Sequence, residues 1–157
     1  MHLTILLLLL LNQPSPDFQL NVQHGGSPFD KSEDKGAIDY LGFMKLLDTY
    51  PWLNEIEKSN ATRNSAPTIT VRYSKGMKDL WVSMSGDKTT GYGYLVGYDH
   101  NKRVNGKTVK WVEIYLPDDT RKVQQLFGLF FEKEFDALEK ALSHLEKFKE
   151  MEAQTGL

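Results

Sequence analysis

Apolar and polar side chains alternate strictly through the middle of the chain, and the alternation turns back on itself at one dipeptide. Residues 92–116, YGYLVGYDHNKRVNGKTVKWVEIYL, carry Asn105-Gly106 between two alternating runs. Both central positions of a type I′ turn need positive φ, which Asn and Gly tolerate, so the pair predicts a two-residue hairpin loop. Val104 then faces Lys107, and counting outward sets His100 against Trp111, Tyr98 against Glu113 and Val96 against Tyr115. Successive side chains point to opposite faces of a strand. One face of the hairpin therefore collects Tyr92, Tyr94, Val96, Tyr98, Trp111, Glu113 and Tyr115. The other collects Gly93, Leu95, Gly97, Val112, Ile114 and Leu116.

Two shorter runs alternate in the same way. In residues 68–73, TITVRY, Ile69, Val71 and Tyr73 oppose Thr68, Thr70 and Arg72. In residues 79–85, DLWVSMS, Leu80, Val82 and Met84 oppose Trp81 and Ser83. With turns at 74–78 and 86–91, the four runs predict an antiparallel meander.

Outside this region the period changes to that of a helix. In residues 36–50, Ile38, Leu41, Met44 and Leu47 follow helical spacing, with Ser32 or Asp34 placed to cap. Pro51 cannot continue that helix but suits the first turn of another, over 51–59, with Trp52, Leu53 and Ile56 inward. After Pro117, the residues Asp118, Asp119 and Thr120 mark a helix start, where acidic and capping groups are favoured. Val123, Leu126, Phe127, Phe130, Phe131, Phe135, Leu138, Leu142, Leu145 and Phe148 then predict one long amphipathic helix, with Gly128 the place where it bends.

An amphipathic helix must bury its stripe. The aliphatic hairpin face, where Gly93 and Gly97 leave room for close approach, is its expected seat. The expectation is a single α+β domain over residues 36–157, a four-stranded antiparallel meander with N-terminal helices and a long C-terminal amphipathic helix packed on one face. Residues 1–35 are set apart as an N-terminal apolar block and a Pro/Gly-rich linker, in which residues 19–23 suit a short edge strand. The block at 1–11 is too short to span a bilayer, which takes about 20 apolar residues. Its length matches the apolar part of a secretory signal, but no Lys or Arg precedes it and no Ala-x-Ala site follows. A short helix docked on the core is the alternative, so export and cytoplasmic residence both stay open.

The absence of cysteine excludes disulfides, thiolate catalysis and cysteine zinc sites. A net charge of −2 gives no overall reason to expect nucleic acid or an anionic membrane. Gly106-Lys107-Thr108 ends like a phosphate loop, but Asn101 stands where that motif needs glycine, and the segment opens a strand. Residues 30–41 imitate a calcium loop but end on Leu41 instead of Glu. His2, His24, His100 and His144 lack metal-ligand spacing. His100 is a conceivable general base with no serine partner in sight. No cofactor or metal is expected, and the balance is against an enzyme.

The remaining chemistry is a ring-rich strand face beside a basic hairpin tip. Aromatic residues are favoured as interface anchors. The sequence therefore points to a non-enzymatic binding protein of inhibitor, immunity or adaptor type. Tyr92, Tyr94, Tyr98, Trp111 and Tyr115 would anchor a protein partner, and Lys102, Arg103 and Lys107 would set its orientation. One alternative is a single-stranded nucleic-acid binder using the same surface. Another is a small ligand-binding domain or hydrolase with a pocket between helix and sheet.

Overall fold

A computed structural model describes residues 17–153, so the apolar block at 1–11 lies outside the described residues. In chain order the elements are β1 (Phe18–Gln23), β2 (Ser32–Ala37), α1 (Tyr40–Thr49), α2 (Trp52–Thr62), β3 (Thr68–Tyr73), a 3-10 turn (Ser74–Gly76), β4 (Lys78–Asp87), β5 (Gly91–Val104), β6 (Lys107–Leu116), α3 (Thr120–Phe131), α4 (Phe135–Ser143) and β7 (Glu146–Glu152). The strands form one antiparallel sheet in the order β2-β1-β3-β4-β5-β6-β7. Among the described residues no helix is long and apolar enough to cross a membrane.

The hairpin turns where the Asn-Gly pair places it. Asn105 and Gly106 both have positive φ, and Val104 pairs with Lys107, His100 with Trp111, Tyr98 with Glu113 and Val96 with Tyr115. The class is α+β, but the expected architecture needs correction in its strand count, its C-terminal third and the sheet face the helices cover. The sheet has seven strands where four were expected, and the C-terminal third is two helices and a strand, not one long helix.

At the N-terminal end, the short strand expected at 19–23 forms as β1, inside the sheet and not at its edge, because residues read as linker supply a further strand, β2, outside it. Phe18, Leu20 and Val22 of β1 are buried opposite Tyr73, Val71 and Ile69 of β3. The cap of α1 is Asp39, whose carboxylate accepts the Gly42 N–H at 2.7 Å, in place of Ser32 or Asp34. In α2, Trp52 and Ile56 face inward while Leu53 is exposed. Its Glu55 is buried beneath the β1–β2 loop. The Glu55 carboxylate takes the Gly25 N–H at 2.9 Å and contacts His24 at 3.2 Å and Lys58. Burial alone would raise the Glu55 carboxyl, but these donors outweigh it and hold the group below its usual range.

The C-terminal break falls at 132–134, not at Gly128. Lys133 adopts φ 62, and the N–H groups of Lys133 and Glu134 close back on Phe130 and Leu129. A straight helix from 120 to 148 would run about 43 Å, far past the core. The reversal brings Phe135 edge-on to Phe130 at 5.8 Å and buries Leu138 and Leu142 in the same core. Strand β7 follows with every side chain exposed. It is held by main-chain pairing to β6, a contact that no pattern of buried positions announces.

The helices cover the ring-bearing face, not the aliphatic one. Phe43 of α1 stacks on Phe127 of α3 at 4.0 Å. Leu47, Trp52, Ile56, Val123, Leu126 and Phe130 join Ile69, Val71, Leu80, Val82, Val96, Tyr98 and Tyr115 in one buried cluster. The whole sheet decides this, not the hairpin alone. On β1 and β3 the opposite side carries Gln19, Asn21, Gln23, Thr68, Thr70 and Arg72, so only the ring side stays apolar across the inner strands β1, β3, β4 and β5. Antiparallel sheets tolerate one face in water.

Candidate binding surface

Covering the ring face removes most of the expected anchors from the surface. Tyr98 is 0 % exposed and Tyr115 is 4 % exposed. The Tyr98 hydroxyl receives Lys78 Nζ at 2.8 Å and donates to Glu139 of α4 at 3.1 Å. Burial, then the Glu139 carboxylate, pushes the Tyr98 hydroxyl well above its usual range. Burial and the Glu113 carboxylate push Tyr115 up to about 12. Tyr94 meets Trp52 edge-on at 5.4 Å, and Tyr92 packs against the same core. Trp111 is capped by Lys102, whose ammonium sits 4.4 Å from the ring centroid. Of the expected surface residues, Arg103 and Lys107 are exposed at the hairpin tip and make no ion pair among the described residues. Tyr98 and Tyr115 are therefore core residues, and Tyr92 and Tyr94 are half-buried against that core.

A helix–sheet pocket exists on this side, about 310 Å³ and lined by His100, Glu113, Tyr115, Glu139 and Lys147 among others. Its polar groups are tied to one another. Glu113 accepts Lys147 at 2.7 Å and contacts His100 Nε2 at 3.3 Å, while the His100 ring stacks on Tyr98 at 4.8 Å. Ser143 donates to Lys140 of its own helix. The cluster braces β5, β6, β7 and α4 together and sets no nucleophile beside a base.

The uncovered face holds a different arrangement. Trp81 of β4 lies between Thr70 of β3 and Gly97 of β5. A Cβ on Gly97 would overlap Cε2 and Cζ2 of the indole, so the ring lies flat on bare backbone. Its Nε1–H donates to Asp99 Oδ1 at 2.9 Å. These two constraints turn a long rotatable side chain into a fixed platform, half-buried on the uncovered face of the sheet. Replacing Gly97 with alanine is expected to lever the indole off the sheet and to cost about 1–3 kcal/mol, the usual penalty of overpacking. A shifted Trp81 indole N–H resonance, with the remaining amides in place, is the measurement that checks it.

Beside the platform, Asp79 and Asp99 stand directly opposite on β4 and β5, an unfavourable placement for like charges. Three groups relieve it. Arg72 grips Asp79 through Nε at 3.0 Å and Nη2 at 3.2 Å, Lys110 approaches at 3.5 Å, and Trp81 serves Asp99. Burial, helped by the Asp79 carboxylate and opposed by the Trp81 N–H and Lys110, still leaves the Asp99 carboxyl above its ordinary range. A carboxyl raised in the folded state ionises later than in the unfolded chain. Its contribution is neutral below the unfolded value of 3.8 and costs stability as pH rises from there through the raised value. Asp99→Asn keeps an acceptor for Trp81 and removes the ionisation. The variant is expected to match wild type in acid and to gain on it across that window. Urea unfolding of both proteins along a pH series reads the difference; a wild type that gained on the variant with rising pH would contradict it.

The platform closes one end of a polar groove. A cavity of about 340 Å³ is lined by Thr68, Thr70, Arg72, Asp79, Trp81 and Asp99. It shares Thr68, Thr70 and Arg72 with a second cavity of about 420 Å³ that continues over Asn21, Gln23, Ser32 and Ser65 to the exposed ring of Phe29. On the other side of Trp81 the face turns aliphatic, with Leu95, Ile114 and Leu116 half-buried. Sequence reasoning missed this surface. Its one legible signal was a tryptophan facing a strand glycine, which marks a site where something packs flat on backbone. Among the described residues no group of three or more His, Asp or Glu side chains is placed to hold a metal. Comparison with family models, with curated proteins and with solved structures finds no match to this chain.

Proposed function

We propose that this chain is a non-enzymatic binding protein, of adaptor, inhibitor or immunity type, whose partner docks on the uncovered face of the sheet. The carrying observation is the half-buried Trp81 indole, seated on Gly97, pinned by Asp99 and lining the groove on the uncovered face. A fixed aromatic ring enters a complex with little rotamer entropy left to lose, which is the property of an interface anchor. The half-buried aliphatic strip and the polar groove flank it, and the unpaired Arg103, on the same face farther along the hairpin, steers an acidic portion of the partner.

The single-stranded nucleic-acid reading retains one support, an aromatic platform on the same sheet face as Arg103. It requires binding that falls steeply with salt. The test of the main reading is a photo-crosslinking side chain placed at Thr70 and, as a control, at Tyr92 on the helix side. Crosslinking to a single partner from Thr70 but not from Tyr92, lost on Trp81→Ala, supports the proposal. Equal crosslinking from both positions defeats it.

A further inference from the structure

The groove beside Trp81 has a chemistry more specific than that of a general docking face, and the following step rests on that face being the binding surface. Its wall is built from uncharged hydrogen-bonding groups: Asn21, Gln23, Ser32, Thr68 and Thr70. The Gln23 amide is committed to Ser27, Pro28 and Ser65. The Asn21 and Thr70 side chains have no partner among the described residues. They leave an amide and a hydroxyl, each able to donate and accept, aimed at the groove. The one cation in the wall, Arg72, has two of its nitrogens on Asp79. A ligand carrying full negative charge would find no free counter-charge there, and an apolar peptide would strand the wall's polar groups unpaired.

A sugar ring meets both halves of the site. It has a flat apolar face of C–H groups for the indole and a rim of hydroxyls, each both donor and acceptor, for amides, hydroxyls and carboxylates. We infer that the groove across β1, β3 and β4 is a saccharide site, occupied by a neutral oligosaccharide with one ring stacked on Trp81 and the chain running toward Phe29. Two contiguous cavities of about 340 and 420 Å³ are each within the size range of single ligand pockets, so their union suits a chain of rings better than one. Asp99 accepts the Trp81 N–H through Oδ1 and keeps Oδ2 for a sugar hydroxyl.

The experiment is a titration of isotope-labelled protein with a panel of neutral hexasaccharides: β-1,4-linked glucose and N-acetylglucosamine, β-1,3-linked glucose, α-1,4-linked glucose and α-1,6-linked mannose. The expected result is that at least one shifts the Trp81 indole N–H together with the Thr70 amide, with an affinity indifferent to salt. Trp81→Ala is expected to weaken binding on the order of tenfold or more, and Asn21→Ala to weaken it without moving the fold. No shift from any member of the panel overturns the inference, as does a shift that Trp81→Ala leaves intact. A single-stranded oligonucleotide or a polar peptide moving Trp81 when no sugar does overturns it too. Thr70 crosslinking separates the two levels. If the crosslink forms and survives enzymatic deglycosylation of the captured partner, the sugar assignment falls and the binding face stands. If neither sugar nor crosslink is seen, both fall.

Discussion

Tyr98→Ala is expected to cost about 3–5 kcal/mol of stability, the range for removing a large buried ring. Tyr98 is wholly buried. Its ring stacks on His100 and its hydroxyl joins Lys78 of β4 to Glu139 of α4. Truncation removes the ring contacts and the hydroxyl that bridges Lys78 and Glu139, which keep only their direct ion pair at 3.6 Å. Tyr98→Phe separates the two effects, since it keeps the ring and deletes only the hydroxyl. Its cost is expected near 1 kcal/mol, the usual net worth of a hydrogen bond. Chemical denaturation of the two variants checks both numbers. A Tyr98→Ala protein as stable as wild type would mean that this residue sits at the surface, as the sequence alone suggested.

Trp81→Ala is the opposite case, a large effect on binding with a small one on folding. The indole is half-buried and belongs to no part of the helix-covered core. The loss of stability is expected below about 1.5 kcal/mol, in the range of surface changes plus one lost hydrogen bond. Partner capture through Thr70 is expected to drop by a factor on the order of thirty, which corresponds to about 2 kcal/mol, the threshold of an interface hot spot. The pair of variants therefore dissociates fold from function. Tyr98 changes should track stability, and Trp81 changes should track binding.

The hairpin was legible because its determinants are local. Asn105-Gly106 fixes the turn, the turn fixes the register, and the register fixes which side chains share a face. Which of the two faces meets the helices is not a local property. It depends on β1 and β3, whose inward residues Phe18, Leu20, Val22, Ile69 and Val71 lie far from the hairpin in sequence. Leu20 and Val22 read only as a short strand at an edge, with nothing in their Pro/Gly-rich surrounding to place them inside the sheet. Strand β7 was illegible for another reason. EKFKEME has the composition of a solvated helix, and only the free edge of β6 makes it a strand. The break at Lys133 was hidden because the apolar stripe runs on through Phe135, Leu138 and Leu142, which the reversal returns to the same core. The groove escaped notice because Asn21, Thr70, Trp81 and Gly97 belong to four different strands. Each is unremarkable in its own stretch, and only the strand order makes them neighbours.

The chain has no cysteine, which makes single-cysteine labelling the most direct measurement of sidedness. Thr70→Cys and Ile114→Cys report the uncovered face, and Val96→Cys reports the helix-covered one. Under native conditions the first two are expected to react with a thiol reagent at close to the rate of an unfolded control, and the third to be strongly protected. Rapid reaction at 96 with protection at 70 and 114 would put the helices on the wrong side of the sheet and remove the basis for Trp81 as the anchor.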